Sequence, residues 1–191
     1  MERFGEAAAG GIAMREQSRR MALCAMMAAL GTAVLMMGGL IPLATFCAPA
    51  LAALALVPVQ VEYGRKYALG VYVATAALGL ILCADREAAL VFACLGHYPA
   101  IRDRFNRIRP RALRVAAKLV LFDLCAGIAF ALAALVVGFA ALFAEYAELG
   151  AAGIAAFVVI ANVTLLLYDR FLAVGTLLYE RKIRPRLKRR A

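Results

Sequence analysis

Lysine and arginine enter this chain in four clusters separated by apolar runs, and every second gap between runs is almost free of them. Twenty of the 22 bases follow this rule. Arg3, Arg15, Arg19 and Arg20 precede the first run, and Arg65 and Lys66 separate the second from the third. Arg102, Arg104, Arg107, Arg109, Arg111, Arg114 and Lys118 follow the fourth. Seven more close the chain between Arg181 and Arg190. Only Arg86 occupies an intervening gap, and Arg170 ends the sixth run. Loops kept on the cytoplasmic side of a membrane retain Lys and Arg. The alternation predicts an all-α membrane protein with six transmembrane helices and both the N and C termini cytoplasmic.

Composition agrees with that class. With 65% hydrophobic residues and a mean hydropathy of +0.84, the chain is too apolar for a soluble domain of 191 residues. A hydrocarbon core about 30 Å thick needs roughly 20 apolar residues per helix. The expected spans are 20–41, 44–61, 67–84, 86–102, 118–144 and 150–170, in one domain with loose ends at 1–15 and 184–191. No run alternates with the period of two that a barrel strand requires, and lipid leaves the helix as the remaining self-satisfied backbone. The fourth run is the short one. Ala88–Ile101 has 14 residues, the length of a re-entrant or interfacial segment. It spans if Arg86 and Arg102 carry their head groups to the two interfaces. A fourth segment that failed to span would send the basic tail outward, so the charges favour crossing.

The same charges bear on partners. A net charge of +10 invites a nucleic-acid reading, but orientation already accounts for the bases, and no nucleic acid is expected. Anionic lipid head groups are an expected partner of the inner face. Ile101, Phe105 and Ile108 recur at helical spacing between arginines, either along the inner interface or in a solvated anchor loop. The first apolar run, at 21 residues, exceeds the roughly 7–15 of a secretory signal, so it is read as a retained helix. The expected site is the plasma membrane.

Motifs of known chemistry are absent. There is no Gly-x-Ser-x-Gly, His-Glu-x-x-His or phosphate loop, and Asp85-Arg86-Glu87 carries its own counter-ion. No enzyme, cofactor or metal site is expected. Five cysteines form no Cys-x-x-Cys, and His97 is the one histidine. The cysteines read as small apolar fillers, with a Cys47–Cys83 disulfide as the alternative at the outer face. His97 reads as a hydrogen-bonding residue at a helix end.

Ionisable residues inside an apolar run need partners. An aspartate at mid-helix costs about 2.5–3.5 kcal/mol on insertion scales. Asp123 lies five residues beyond Lys118, about 7–8 Å into its helix. Arg170 lies at similar depth, and an intramembrane ion pair Asp123–Arg170 is expected. Asn162, about 18 Å into the sixth run, is a second polar group near the midplane.

Ala25, Ala29 and Ala33 repeat every four residues along the first helix. In lipid, helices approach closely along such faces, whether inside one bundle or between proteins. The basic N-terminus, the run Met21-Ala-Leu-Cys-Ala-Met-Met-Ala-Ala-Leu30 and the six-helix layout resemble the substrate-binding (S) subunits of energy-coupling factor transporters. That resemblance implies a substrate-capture subunit of an ATP-driven uptake transporter, docked through Ala25, Ala29 and Ala33 on a transmembrane coupling subunit that carries the ATPase subunits. It also implies a small-molecule ligand near the outer face. Metal-binding members begin Met-His, and Met1-Glu2 departs from that, which disfavours nickel or cobalt.

The residues expected to face that ligand are Thr45, Cys47, Glu145, Tyr146 and Asn162. Asp85, Glu87, Glu145 and Glu148 against Arg86 give the outer rim a charge of −3, which favours cationic or neutral ligands. The rival class is a membrane scaffold or assembly factor that binds proteins and no small molecule.

Overall fold

The structure, a computed structural model, describes residues 2–38, 47–137 and 150–185. Most of these residues are helical, with no strand among them. Helix α1 covers Glu2–Gly38, α2 Cys47–Leu54, α3 Leu56–Tyr63 and α4 Arg65–Leu82. Helix α5 covers Arg86–Leu95, α6 Tyr98–Asn106, α7 Arg111–Val137 and α8 Gly150–Leu178. A π-helical turn, Tyr179–Ile183, closes α8.

Among the described residues, three stretches are long and apolar enough to cross a membrane: Met14–Gly38, Arg65–Leu82 and Ala152–Ile183. The second expected span is instead the broken pair α2–α3, shorter than a crossing helix. Pro58 explains the break. It has no N–H for the Leu54 carbonyl, and its ring crowds that carbonyl. The chain tightens at Ala55, whose N–H donates to the Ala52 carbonyl at 3.1 Å.

Pro99 stands in the same relation to Leu95, and the fourth expected span breaks between α5 and α6. Two tyrosines cover the opened backbone. Tyr168 of α8 donates to the Leu95 carbonyl at 3.4 Å, and Tyr72 of α4 donates to the Ala93 carbonyl. An irregular turn survives at membrane depth only when its backbone is satisfied from within the protein.

The first expected loose end is also different. Helix α1 begins at Glu2, upstream of the apolar stretch that starts at Met14. In the tail, Arg184 and Pro185 extend the helix, while 186–191 lie outside the described residues.

The short helices sit in the middle and the long ones around them. Ala52, Ala53, Leu56, Val59, Ala88 and Phe92 are fully or almost fully buried. Helix α1 packs on α2 and α4 through Ala28, Gly31, Thr32 and Leu35. A Cβ on Gly31 would lie 3.1 Å from Thr75 Cγ2 and 3.6 Å from the Ala52 carbonyl, so a small residue sets that approach.

Outward faces are apolar. Met26, Leu30, Val73, Ile81, Ile160 and Leu167 are all more than half exposed. A water-soluble surface rarely presents large side chains of this kind along several helices. Hydrocarbon accommodates them.

Contacts gather all four basic segments at one end of the bundle. Arg20 of α1 lies 5.7 Å over the Tyr63 ring at the end of α3. Glu62 pairs with Arg184 at 3.0 Å, and Gln60 donates to Asp103 of α6 at 2.8 Å. Gly64, at φ 83°, makes the α3–α4 turn there, a conformation that a side chain resists. At the opposite end, Asp85 caps α5 by accepting from the Ala88 N–H at 3.1 Å.

Candidate functional site

The principal polar site is built on Asp169 of α8. Its carboxylate accepts from Tyr98 Oη at 2.6 Å, Arg102 Nε at 2.9 Å and Lys118 Nζ at 2.8 Å. Lys118 also donates to Asn106 Oδ1 at 3.2 Å. Tyr98, Arg102 and Asn106 are four residues apart and share one face of α6. Lys118 comes from α7, so one carboxylate ties three helices together. Lys118 is only 5% exposed and Asp169 18%, so the cluster is largely withdrawn from solvent. Charge in such a place persists only when paired and hydrogen-bonded.

The expected Asp123–Arg170 pair is not formed. Successive residues on a helix point about 100° apart. With Asp169 turned toward Lys118 and Arg102, Arg170 is left exposed at the mouth of the cluster. Asp123, five residues beyond Lys118 on α7, comes level with Asn162, which lies eight residues, about 12 Å along α8, from Arg170. Asp123 instead accepts from Asn162 Nδ2 at 3.2 Å, and the same group reaches the Val158 carbonyl at 3.0 Å. Asn162 is therefore a link between α7 and α8. The acid in the ion-pair network is Asp169, and its bases are Arg102 and Lys118. Two signals pointed there: the four-residue spacing along α6, and the position of Asp169 beside Arg170 at the same depth.

Of the residues expected to face a ligand, Cys47 opens α2 and is exposed. Thr45, Glu145 and Tyr146 lie outside the described residues. All five cysteines are free thiols. His97 lies in the α5–α6 turn, 3.8 Å from Cys125 Sγ, with its ring edge-to-face on Tyr72 at 5.9 Å. Among the described residues, no group of three His, Cys, Asp or Glu side chains gathers to hold a metal.

Helix α1 has two faces rich in small residues. Ala28 and Gly31, with Thr32, are buried against α2 and α4. Ala25, Ala29 and Ala33 are exposed, as is Ala22 one turn earlier. The two stripes are distinct, and internal packing consumes only the first.

The chain matches no protein-family model, no curated protein and no solved structure.

Proposed function

We propose that the chain is a six-span subunit of the plasma membrane that captures a small molecule outside and releases it inside when an ATP-driven partner reorients it. Helices α1, α4 and α8, with the closing turn of α8, supply three crossings. The α2–α3 and α5–α6 pairs and α7 supply the others. The gathering of the basic segments at one end supports this count, because six crossings bring all four to the same side.

One observation carries the functional reading: Ala25, Ala29 and Ala33 remain exposed after the bundle has packed. A smooth small-residue groove on the lipid-facing side of a helix is suited to close approach by a second transmembrane helix. The occupant we assign is a helix of the coupling subunit that carries the ATPases. Ligand capture belongs to the acidic outer rim, with Thr45, Cys47, Glu145 and Tyr146, and it favours a neutral or cationic molecule. Asn162 acts as interhelical glue below that rim.

Co-purification from native membranes, followed by mass spectrometry, tests the proposal. The unaltered chain is expected to recover ATPase subunits. Ala29→Leu, which fills the groove from outside, is expected to abolish that recovery at unchanged expression. Equal recovery by the variant contradicts the docking face. Recovery of envelope proteins without an ATPase is what a scaffold predicts, and it contradicts the transport reading.

A further inference from the structure

We infer that the basic end of the bundle holds a built site for an anionic phospholipid, in a cavity between α6, α7 and α8. The inference does not depend on the transport reading. The cavity is open to its surroundings and has a volume of about 910 Å³. Its polar side is formed by Arg102, Arg111, Arg114, Lys118 and Arg170, and among the described residues Asp169 is the one acid in the lining. Five bases against one acid leave it at +4.

The acid is already committed to Arg102, Lys118 and Tyr98. Arg111, Arg114 and Arg170 form no ion pair among the described residues. Arg114 is anchored at the rim, where its Nε donates to the Ile108 carbonyl at 3.2 Å. A guanidinium offers a planar fork that fits pairs of phosphate oxygens, and three such forks surround one opening here.

The other side of the cavity is apolar, formed by Val115, Val163, Leu166, Leu167 and Ala173. Val163 is 51% and Leu167 64% exposed, so this wall continues onto the outward face of α8. Membrane orientation accounts for bases in the loop, but not for their convergence over an apolar wall. A soluble phosphate would use only the rim. A phospholipid uses both sides, with its phosphate on the arginines and an acyl chain along Val163 and Leu167. Basic pockets between helices on the cytoplasmic side are suited to anionic head groups.

Native mass spectrometry of the detergent-solubilised chain provides the test. Phosphatidylglycerol, phosphatidylcholine, glycerol 3-phosphate and inorganic phosphate are titrated separately. Phosphatidylglycerol is expected to bind at least about tenfold tighter than the other three. Replacing Arg111, Arg114 and Arg170 together by Gln is expected to weaken it about a hundredfold. Replacing Lys66, Arg181 and Lys182 by Gln removes the same charge elsewhere and is expected to leave binding nearly unchanged. Equal binding of phosphatidylcholine overturns the site. So does equal binding of either soluble phosphate, which assigns the rim to a free anion, or equal weakening by the distant triple variant. The four-ligand comparison on the unaltered chain stands even if a variant misfolds.

Discussion

Asp169 is the residue on which the polar interior depends. Removing one member of a largely buried charge cluster strands the others, at a cost of about 3–5 kcal/mol. Asp169→Leu is therefore expected to lower the thermal midpoint in detergent sharply. Adding Lys118→Met should recover much of the loss, because Lys118 is the most buried base in the cluster. Asp123→Asn should leave the midpoint nearly unchanged, since Asp123 is exposed and its hydrogen bond among the described residues is to Asn162. An Asp123→Asn midpoint as low as that of Asp169→Leu would place the structural carboxylate on the wrong residue. The sequence made it plain that buried acids needed partners at matching depth. It did not rank the two acids, because depth along a helix is legible and direction around it depends on the neighbours. Lys118 shows the difficulty: at the boundary of its run it reads as an anchor, yet the fold buries it.

At the scale of elements, apolar runs announced helices but not their breaks. Pro58 and Pro99 each free a carbonyl four residues earlier. Whether a bundle bends or breaks there depends on what covers the freed groups. At α5–α6 the cover comes from Tyr72 and Tyr168, 21 and 73 residues from their acceptors, which local sequence cannot reveal. The turn is also tight. A Cβ on Gly96 would lie 2.7 Å from the Phe92 carbonyl oxygen and 2.8 Å from Phe92 Cζ. Gly96→Ala is expected to destabilise the fold by about 1–3 kcal/mol, the usual range for overpacking. Gly70→Ala is the matched control, with nothing within 4 Å of the added carbon, and it should cause no loss. Thermal melts of the two variants compare them directly, and equal melts would mean that the α5–α6 turn relaxes freely.

For the whole molecule, the lopsided bases were the best guide. They grouped the segments that the fold then brings together, through Arg20 on Tyr63, Glu62 with Arg184 and Lys118 with Asp169. Orientation is a sum over many charges, so it tolerates local misreading of a span. Surface chemistry is legible for the same reason, since large apolar side chains must face either the core or lipid. The repeat of Ala25, Ala29 and Ala33 on α1 was visible in the sequence, but not whether the bundle would bury it. Packing against α2 and α4 separated the buried stripe from the exposed one. Both the transport reading and the lipid site require the basic end of the bundle to be inside the cell. The direct measurement is labelling of intact cells with a membrane-impermeant maleimide, on a chain whose own five cysteines are replaced. Single cysteines are introduced as Glu87→Cys, at the opposite end, and Arg109→Cys, in the basic α6–α7 loop. Glu87→Cys is expected to label in intact cells and Arg109→Cys only after permeabilisation; labelling of Arg109→Cys in intact cells would contradict the topology and, with it, both functional readings.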